Sequence, residues 1–219
     1  MTDLLWTRAD DARATLLLAH GAGAPMDAPF MTRIAEGLAA RGVAVARFEF
    51  AYMAKRRTTG KKFPPIKAER AVPEVRAAIE TVLAAPERVG PLVIGGKSMG
   101  GRVAAIAACE ALDPAVAGVV CLGYPFHGPG RPEEIRLAPL QGGLLPTLIV
   151  QGERDDFGSR AEVETLDVGA RARFAWIEDG SHDFGPRGAS PATLKGNIAV
   201  ACDAAAAFVL GFADTAADA

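Results

Sequence analysis

One stretch constrains this chain more than any other: Pro91-Leu92-Val93-Ile94-Gly95-Gly96-Lys97-Ser98-Met99-Gly100-Gly101-Arg102. The apolar run Leu92 to Ile94 reads as a short buried strand, and Arg102 to Ala108 reads as a helix. The corner between them has the spacing G-x-S-x-G, carried by Gly96, Ser98 and Gly100. A strand, a tight turn bearing serine and then a helix is the context in which that spacing presents a nucleophile. On such a turn the serine backbone is strained. The hydroxyl points into a cleft, beside a helix N-terminus whose dipole favours developing negative charge. The same letters contain Gly-Lys-Ser, but a phosphate-binding loop needs glycine at position 91, which is proline, and Leu92 to Ile94 look like strand. The phosphate-loop reading is rejected. A glycine-rich turn with an incidental serine is the plain alternative, and the rest of the chain weighs against it.

At 219 residues the chain is long enough for one sizeable core and is read as a single domain, residues 1–219. Its net charge of -2 gives no reason to expect nucleic acid or a membrane surface as a partner. The three cysteines, Cys109, Cys121 and Cys202, have no metal-like spacing, and their odd number in apolar surroundings suits buried thiols in a reducing compartment. The first residues lack a signal-peptide pattern, and no apolar run reads as long enough to span a membrane. A cytoplasmic protein without metal or cofactor is expected, of undetermined oligomeric state.

Taken in order, Ala14 to Ala19 is an apolar run suited to a strand buried on both faces, ending in the loop His20-Gly21-Ala22-Gly23-Ala24-Pro25. Phe30 to Arg41 has helical spacing, with Met31, Ile34, Ala35 and Leu38 on one face, and Val43 to Phe50 reads as the next strand. Residues 52 to 67 carry Lys55, Arg56, Arg57, Lys61, Lys62 and Lys67 with no acidic residue, and read as a solvated basic loop. The other reading makes that loop a cover over the active-site mouth that attracts anions. A helix follows from about Ala68 to Ala85. Later strands are expected at Val116 to Leu122, Pro146 to Gln151 and Ala172 to Ile177, with a short helix around Arg160 to Leu166. An Ala-rich helix from about Pro191 to Phe212 closes the fold, and Ala213 to Ala219 is expected to fray. Alternating strands and helices imply an α/β three-layer sandwich around a mostly parallel sheet. Ligands bind such sheets at the carboxyl ends of the strands, where all the polar, Gly-rich stretches fall.

A serine hydroxyl needs an adjacent base, normally histidine, oriented by a carboxylate. Ser98, Asp155 and His182 lie in successive post-strand loops in the order serine, acid, histidine. Asp155 is preferred to Asp156, which is expected to cap a turn or face solvent; Asp183 is a weak rival because neighbouring side chains in a loop rarely face each other. Of the remaining histidines, His20 reads as structural and His127 as a surface residue. The oxyanion would be held by the backbone N–H groups of Met99 and Ala22, donors worth about 100- to 1000-fold each in rate.

These motifs make the chain resemble an α/β-hydrolase over nearly its whole length, on His20-Gly21-Ala22-Gly23, Gly96-Lys97-Ser98-Met99-Gly100, Gly152-Glu153-Arg154-Asp155 and Ser181-His182. With Gly123-Tyr124-Pro125-Phe126-His127, the elbow sequence Gly95 to Arg102 is similar to a compact branch near the dienelactone-hydrolase-like proteins. That branch also includes a testis-expressed protein and a subunit of a nuclear histone-acetyltransferase complex. The chain departs from larger hydrolases in two ways: only Met1 to Arg13 precedes the first clear strand, and no helical cap domain fits between Leu122 and Pro146. The resemblance implies a minimal α/β-hydrolase fold and a serine hydrolase acting on a small ester, thioester or related acyl compound. A non-catalytic scaffold of the same fold, or an acyltransferase using the same triad, are the alternatives.

Overall fold

A computed structural model describes residues 2–217. Its frame is a seven-stranded sheet built from β1 (Leu4–Thr7), β2 (Ala14–Ala19), β3 (Val43–Phe48), β4 (Leu92–Lys97), β5 (Val116–Leu122), β6 (Thr147–Gly152) and β7 (Ala172–Ile177). The spatial order is β1-β3-β2-β4-β5-β6-β7, and every pairing is parallel except that of β1 with β3. The helices are α1 (Pro29–Ala39), α2 (Ala51–Thr59), α3 (Ala68–Leu83), α4 (Met99–Ala107), α5 (Ala138–Gln141), α6 (Arg160–Val163) and α7 (Leu194–Ala217).

Successive strand residues point to opposite faces, so each apolar run feeds two cores at once. Leu17, Ala19 and Ile94 pack with Val75, Ile79 and Val82 of α3 and Val103 of α4. Leu16, Leu18 and Val93 pack on the other face, with Ile34 and Leu38 of α1 and Ala201, Ala205 and Val209 of α7. This is a three-layer α/β sandwich, and the 24 residues between β5 and β6 hold only the one-turn α5, so no separate cap covers the sheet edge.

Several boundaries differ from the sequence expectations, each for a physical reason. β1 is a strand the sequence reading missed: four residues give too little alternation to see, yet Leu4 and Trp6 pack against the core and pair with Phe48 and Ala46. The expected basic loop begins instead as α2, because Tyr52 and Met53 are buried and anchor a helix whose exposed side carries the cations; only residues 60–67 remain irregular. β4 runs on to Lys97, and α4 starts immediately after Ser98. α7 continues through Ala213 to Ala217 rather than fraying at 213; residues 218 and 219 lie outside the described residues. Contrary to expectation, α7 is by length and composition apolar enough to cross a membrane over Leu194–Thr215, with a mean hydropathy of 1.6. Alanine and glycine spread through it hid that run. Here one face of it packs on α1 and the sheet.

Candidate active site

The carboxyl ends of β2, β4, β5, β6 and β7 bring their following loops to one edge, as the sequence order implies. Ser98 sits between β4 and α4 with φ 52° and ψ −115°, a conformation L-residues rarely adopt. Two backbone bonds hold it there: Ser98 N–H donates to Leu122 O at 2.9 Å, and Arg102 N–H donates to Ser98 O at 3.0 Å. The flanking glycines are needed because the end of β2 passes against the corner. A Cβ on Gly96 would lie 2.6 Å from Ala19 O, and one on Gly100 2.6 Å from His20 O.

Asp155 follows β6, its side chain fully shielded from solvent. His182 Nδ1 donates to Asp155 Oδ2 at 2.8 Å, Gln151 Nε2 donates to the same oxygen at 3.0 Å, and Phe157 N–H donates to Oδ1 at 2.8 Å. With Nδ1–H committed to the carboxylate, Nε2 of His182 is the nitrogen free to accept a proton. Phe157 lies over the imidazole at 4.4 Å between ring centroids. Gly123 (φ 65°) backs it, since a Cβ there would come 3.2 Å from His182 Nδ1. Ser98 Oγ makes no hydrogen bond to His182, but both line one cavity of about 330 Å³, together with Ala22, Phe30, Lys97 and Phe157. Serine–histidine contacts of this type commonly tighten only when substrate binds. The N–H groups of Met99 and Ala22 donate to no acceptor within the described residues, so both are available to a ligand.

The other sequence candidates separate cleanly. Asp156 is exposed. Asp183 turns away from His182 and pairs with Lys97 Nζ at 3.2 Å. His20 is buried and structural: Nδ1–H donates to Gly21 O at 2.6 Å, and Nε2 accepts from Phe50 N–H at 3.1 Å. His127, expected at the surface, is instead only 5% exposed. The Tyr124–Phe126 segment dives into the core and draws His127 under Phe157, whose carbonyl accepts its N–H.

The sequence reading passed over four supporting residues. Gln151 ends the otherwise apolar β6 and is wholly buried; a glutamine there was the available signal. Its Oε1 accepts from Tyr124 N–H at 2.7 Å, which fixes the amide that faces Asp155. Asp179 (φ 48°) ties the acid loop to the histidine loop, accepting from Arg154 Nε at 2.7 Å and from Arg187 N–H at 2.8 Å. Those bonds, the Arg187 amide foremost, hold its carboxyl below the usual range. Tyr52 donates its hydroxyl to Ala22 O at 3.0 Å, which links α2 to the loop that bears the Ala22 amide. Burial pushes that phenol up to about 12, so it stays a donor. Lys97 points into the cavity itself. No sequence signal distinguished these last three from ordinary surface charge or core.

A second cavity, of about 420 Å³, opens near α2 around Glu49, Arg57 and Glu74. The carboxylates of Glu49 and Glu74 are already engaged, by Arg57 and by the Ala51 amide.

Residues 12–210 match the family described as an alpha/beta hydrolase domain. Among solved structures, the dienelactone hydrolase from Anabaena variabilis is 20% identical with a TM-score of 0.71, the match covering 95% of this chain and 90% of that one. Est1E from Butyrivibrio proteoclasticus, solved with ferulic acid bound, is 14% identical with a TM-score of 0.70, covering 95% and 94%. An α/β serine hydrolase without lid from Xanthomonas campestris is 21% identical with a TM-score of 0.60, covering 83% and 80%. These likenesses carry the fold, and the match over residues 12–210 carries the family: the chain belongs to the alpha/beta hydrolases.

Proposed function

We propose that this protein is a serine hydrolase that cleaves a small ester, thioester or related acyl compound through an acyl-enzyme. The observation that carries the reading is the Asp155–His182 hydrogen bond at 2.8 Å, made at the rim of the same cavity that a strained Ser98 lines. Ser98 Oγ bonds to the acyl carbon while its proton passes to His182 Nε2. The carbonyl electrons move onto an oxyanion held by the N–H groups of Met99 and Ala22. Collapse breaks the bond to the leaving alcohol or thiol, which takes the proton from His182. Water then attacks the acyl-enzyme, giving a proton to His182, and the carboxylic acid leaves as Ser98 Oγ recovers that proton. Asp155 stays ionised throughout and stabilises the imidazolium. Three unpaired thiols, Cys109, Cys121 and Cys202, support a reducing compartment, so we place the reaction in the cytoplasm.

The test is labelling by a neutral fluorophosphonate, wild type beside Ser98→Ala and His182→Ala, with turnover of 4-nitrophenyl butyrate measured on all three. The expected result is labelling and turnover in the wild type, with both lost in Ser98→Ala and turnover down by about 1000-fold or more in His182→Ala. Folded wild type that neither labels nor exceeds Ser98→Ala in turnover would sink the reading in favour of a non-catalytic scaffold.

A further inference from the structure

Lys97 is the residue in the cavity that the acyl-transfer reading leaves without a task. Its side chain is 8% exposed, and its stem passes Gly21, whose Cβ would lie 3.6 Å from Lys97 Cγ. The ammonium has three N–H donors and one protein partner, Asp183 Oδ1 at 3.2 Å, and that aspartate is itself 72% exposed. On its other side lies the Phe30 ring, 5.5 Å from Nζ to centroid. Burial pushes Lys97 below its ordinary value, and the charge of Asp183, then the hydrogen bond to it, then the charge of Asp155 push it back.

Another buried cation in the same protein shows what a purely structural role looks like. Arg47 also stands on a sheet strand, and its guanidinium donates to Met26 O at 3.0 Å, Thr32 Oγ1 at 3.1 Å and Thr7 Oγ1 at 3.0 Å. The fold supplies acceptors for both terminal nitrogens of that cation from several elements, and only its Nε goes without. For Lys97 it supplies one exposed carboxylate and an opening. A buried charge that is paired this thinly costs stability, and two of its three donors are left for a ligand.

We propose that Lys97 anchors a carboxylate on the acyl part of the substrate, so that the enzyme acts on half-esters or half-thioesters of short dicarboxylic acids. This rests on the serine-hydrolase reading above. Three features select that chemistry. Lys97 is the one lysine or arginine lining the cavity, matching a single negative charge rather than a phosphate dianion. The carboxylate of Asp183 already occupies the position in which a substrate carboxylate would sit, and its exposure lets it swing out. The acyl part is what stays bonded to Ser98 through both half-reactions, within reach of the adjacent residue. The remaining lining, Ala22, Ala24, Ala28, Phe30, Met31 and Phe157, is apolar and suits a short methylene chain. At about 330 Å³ the space is at the small end for ligand cavities.

The experiment compares 4-nitrophenyl hemiesters of succinate and glutarate with the uncharged 4-nitrophenyl butyrate and valerate, on wild type, Lys97→Met and Asp183→Asn. Fluorophosphonate labelling of each variant reports separately that Ser98 is assembled. The expected wild-type preference for the better hemiester over its neutral counterpart is about tenfold to a hundredfold in kcat/KM. Lys97→Met should lower that ratio by a similar factor, and Asp183→Asn, which removes the competing carboxylate, should raise it. Equal use of charged and neutral esters by labelled wild type, or an unchanged ratio in Lys97→Met, would overturn the proposal. If nothing labels and no ester turns over, the hydrolase reading fails by itself. Calorimetric titration with succinate and glutarate then decides the anion site alone: binding by wild type that Lys97→Met loses upholds it, and no binding refutes it.

Discussion

At the scale of the residue, the site is built by placing polar groups where the backbone or its neighbours are held away from rest. Ser98 is the clearest case. Its φ of 52° and ψ of −115° cost a non-glycine residue about 1–3 kcal/mol. The Leu122 carbonyl and the first turn of α4 hold it there. Glycine accepts the same backbone angles without strain and gives back only part of the gain through its freer unfolded chain. Ser98→Gly should therefore raise unfolding stability by about 1 kcal/mol while abolishing labelling, measured by urea unfolding beside the wild type. Destabilisation would mean that the elbow holds no strain. The charged groups follow the same logic in reverse: Asp155 is fully shielded, yet three donors meet it. The Gln151 amide that supplies one of them is itself oriented by Tyr124, so the acid's position is set two residues deep.

At the scale of the element, β2, β4, β6 and β7 each end in a loop that bears a candidate site residue, and α2 shows how a helix outside the sheet supports one of those loops. By sequence it reads as a basic loop because its cations dominate the composition, while the two residues that fold it, Tyr52 and Met53, make only a partial apolar face. The Tyr52 hydroxyl lies 3.0 Å from Ala22 O and 3.5 Å from Gly21 O, and the Gly21 carbonyl shares its peptide plane with the Ala22 N–H, so α2 braces the direction of that amide. Tyr52→Phe keeps the buried ring and loses that tether. It should cost about 1 kcal/mol in stability and lower kcat several-fold with little change in KM, because an oxyanion donor acts in the transition state. Equal loss in KM alone would assign Tyr52 to ground-state binding. The same contrast explains what the sequence made legible. The strand runs, the elbow and the order Ser98, Asp155, His182 are local patterns read directly from spacing. Gln151, Asp179 and Tyr52 act across 4, 8 and 30 residues of chain on partners that only the packed fold brings near. Lys97 carries an ordinary surface letter until the Gly21 loop and Phe30 cover it, and His127 does so until the fold draws it under Phe157.

At the scale of the whole molecule, the loop bearing Ala22 hangs on a buried histidine, so acid should loosen fold and site together. His20 is held below its ordinary value of 6.5, first by burial, offset in part by its bond to Gly21 O and the charge of Glu49. The folded state therefore resists protonating a ring that the unfolded chain protonates freely near 6.5. Between the lowered folded value and 6.5 the unfolded chain binds more protons, so stability falls as the pH drops, by up to about 1.4 kcal/mol per pH unit. Protonation would also set Nε2–H against the Phe50 N–H it now accepts from, which opposes a donor with a donor. The carboxylates of Asp27, Glu69 and Glu153, each lowered by hydrogen bonds, lose their contribution only in a lower window, below about 4.5. They are partly to largely exposed, so solvent screens that loss. Thermal unfolding from about pH 7.5 to 5 isolates the histidine step from the carboxylate step. Wild type should lose stability across that range, and His20→Gln, whatever its starting stability, should lose much less. Parallel curves for the two proteins would show that the acid sensitivity arises elsewhere and that the Gly21 loop is anchored independently of His20.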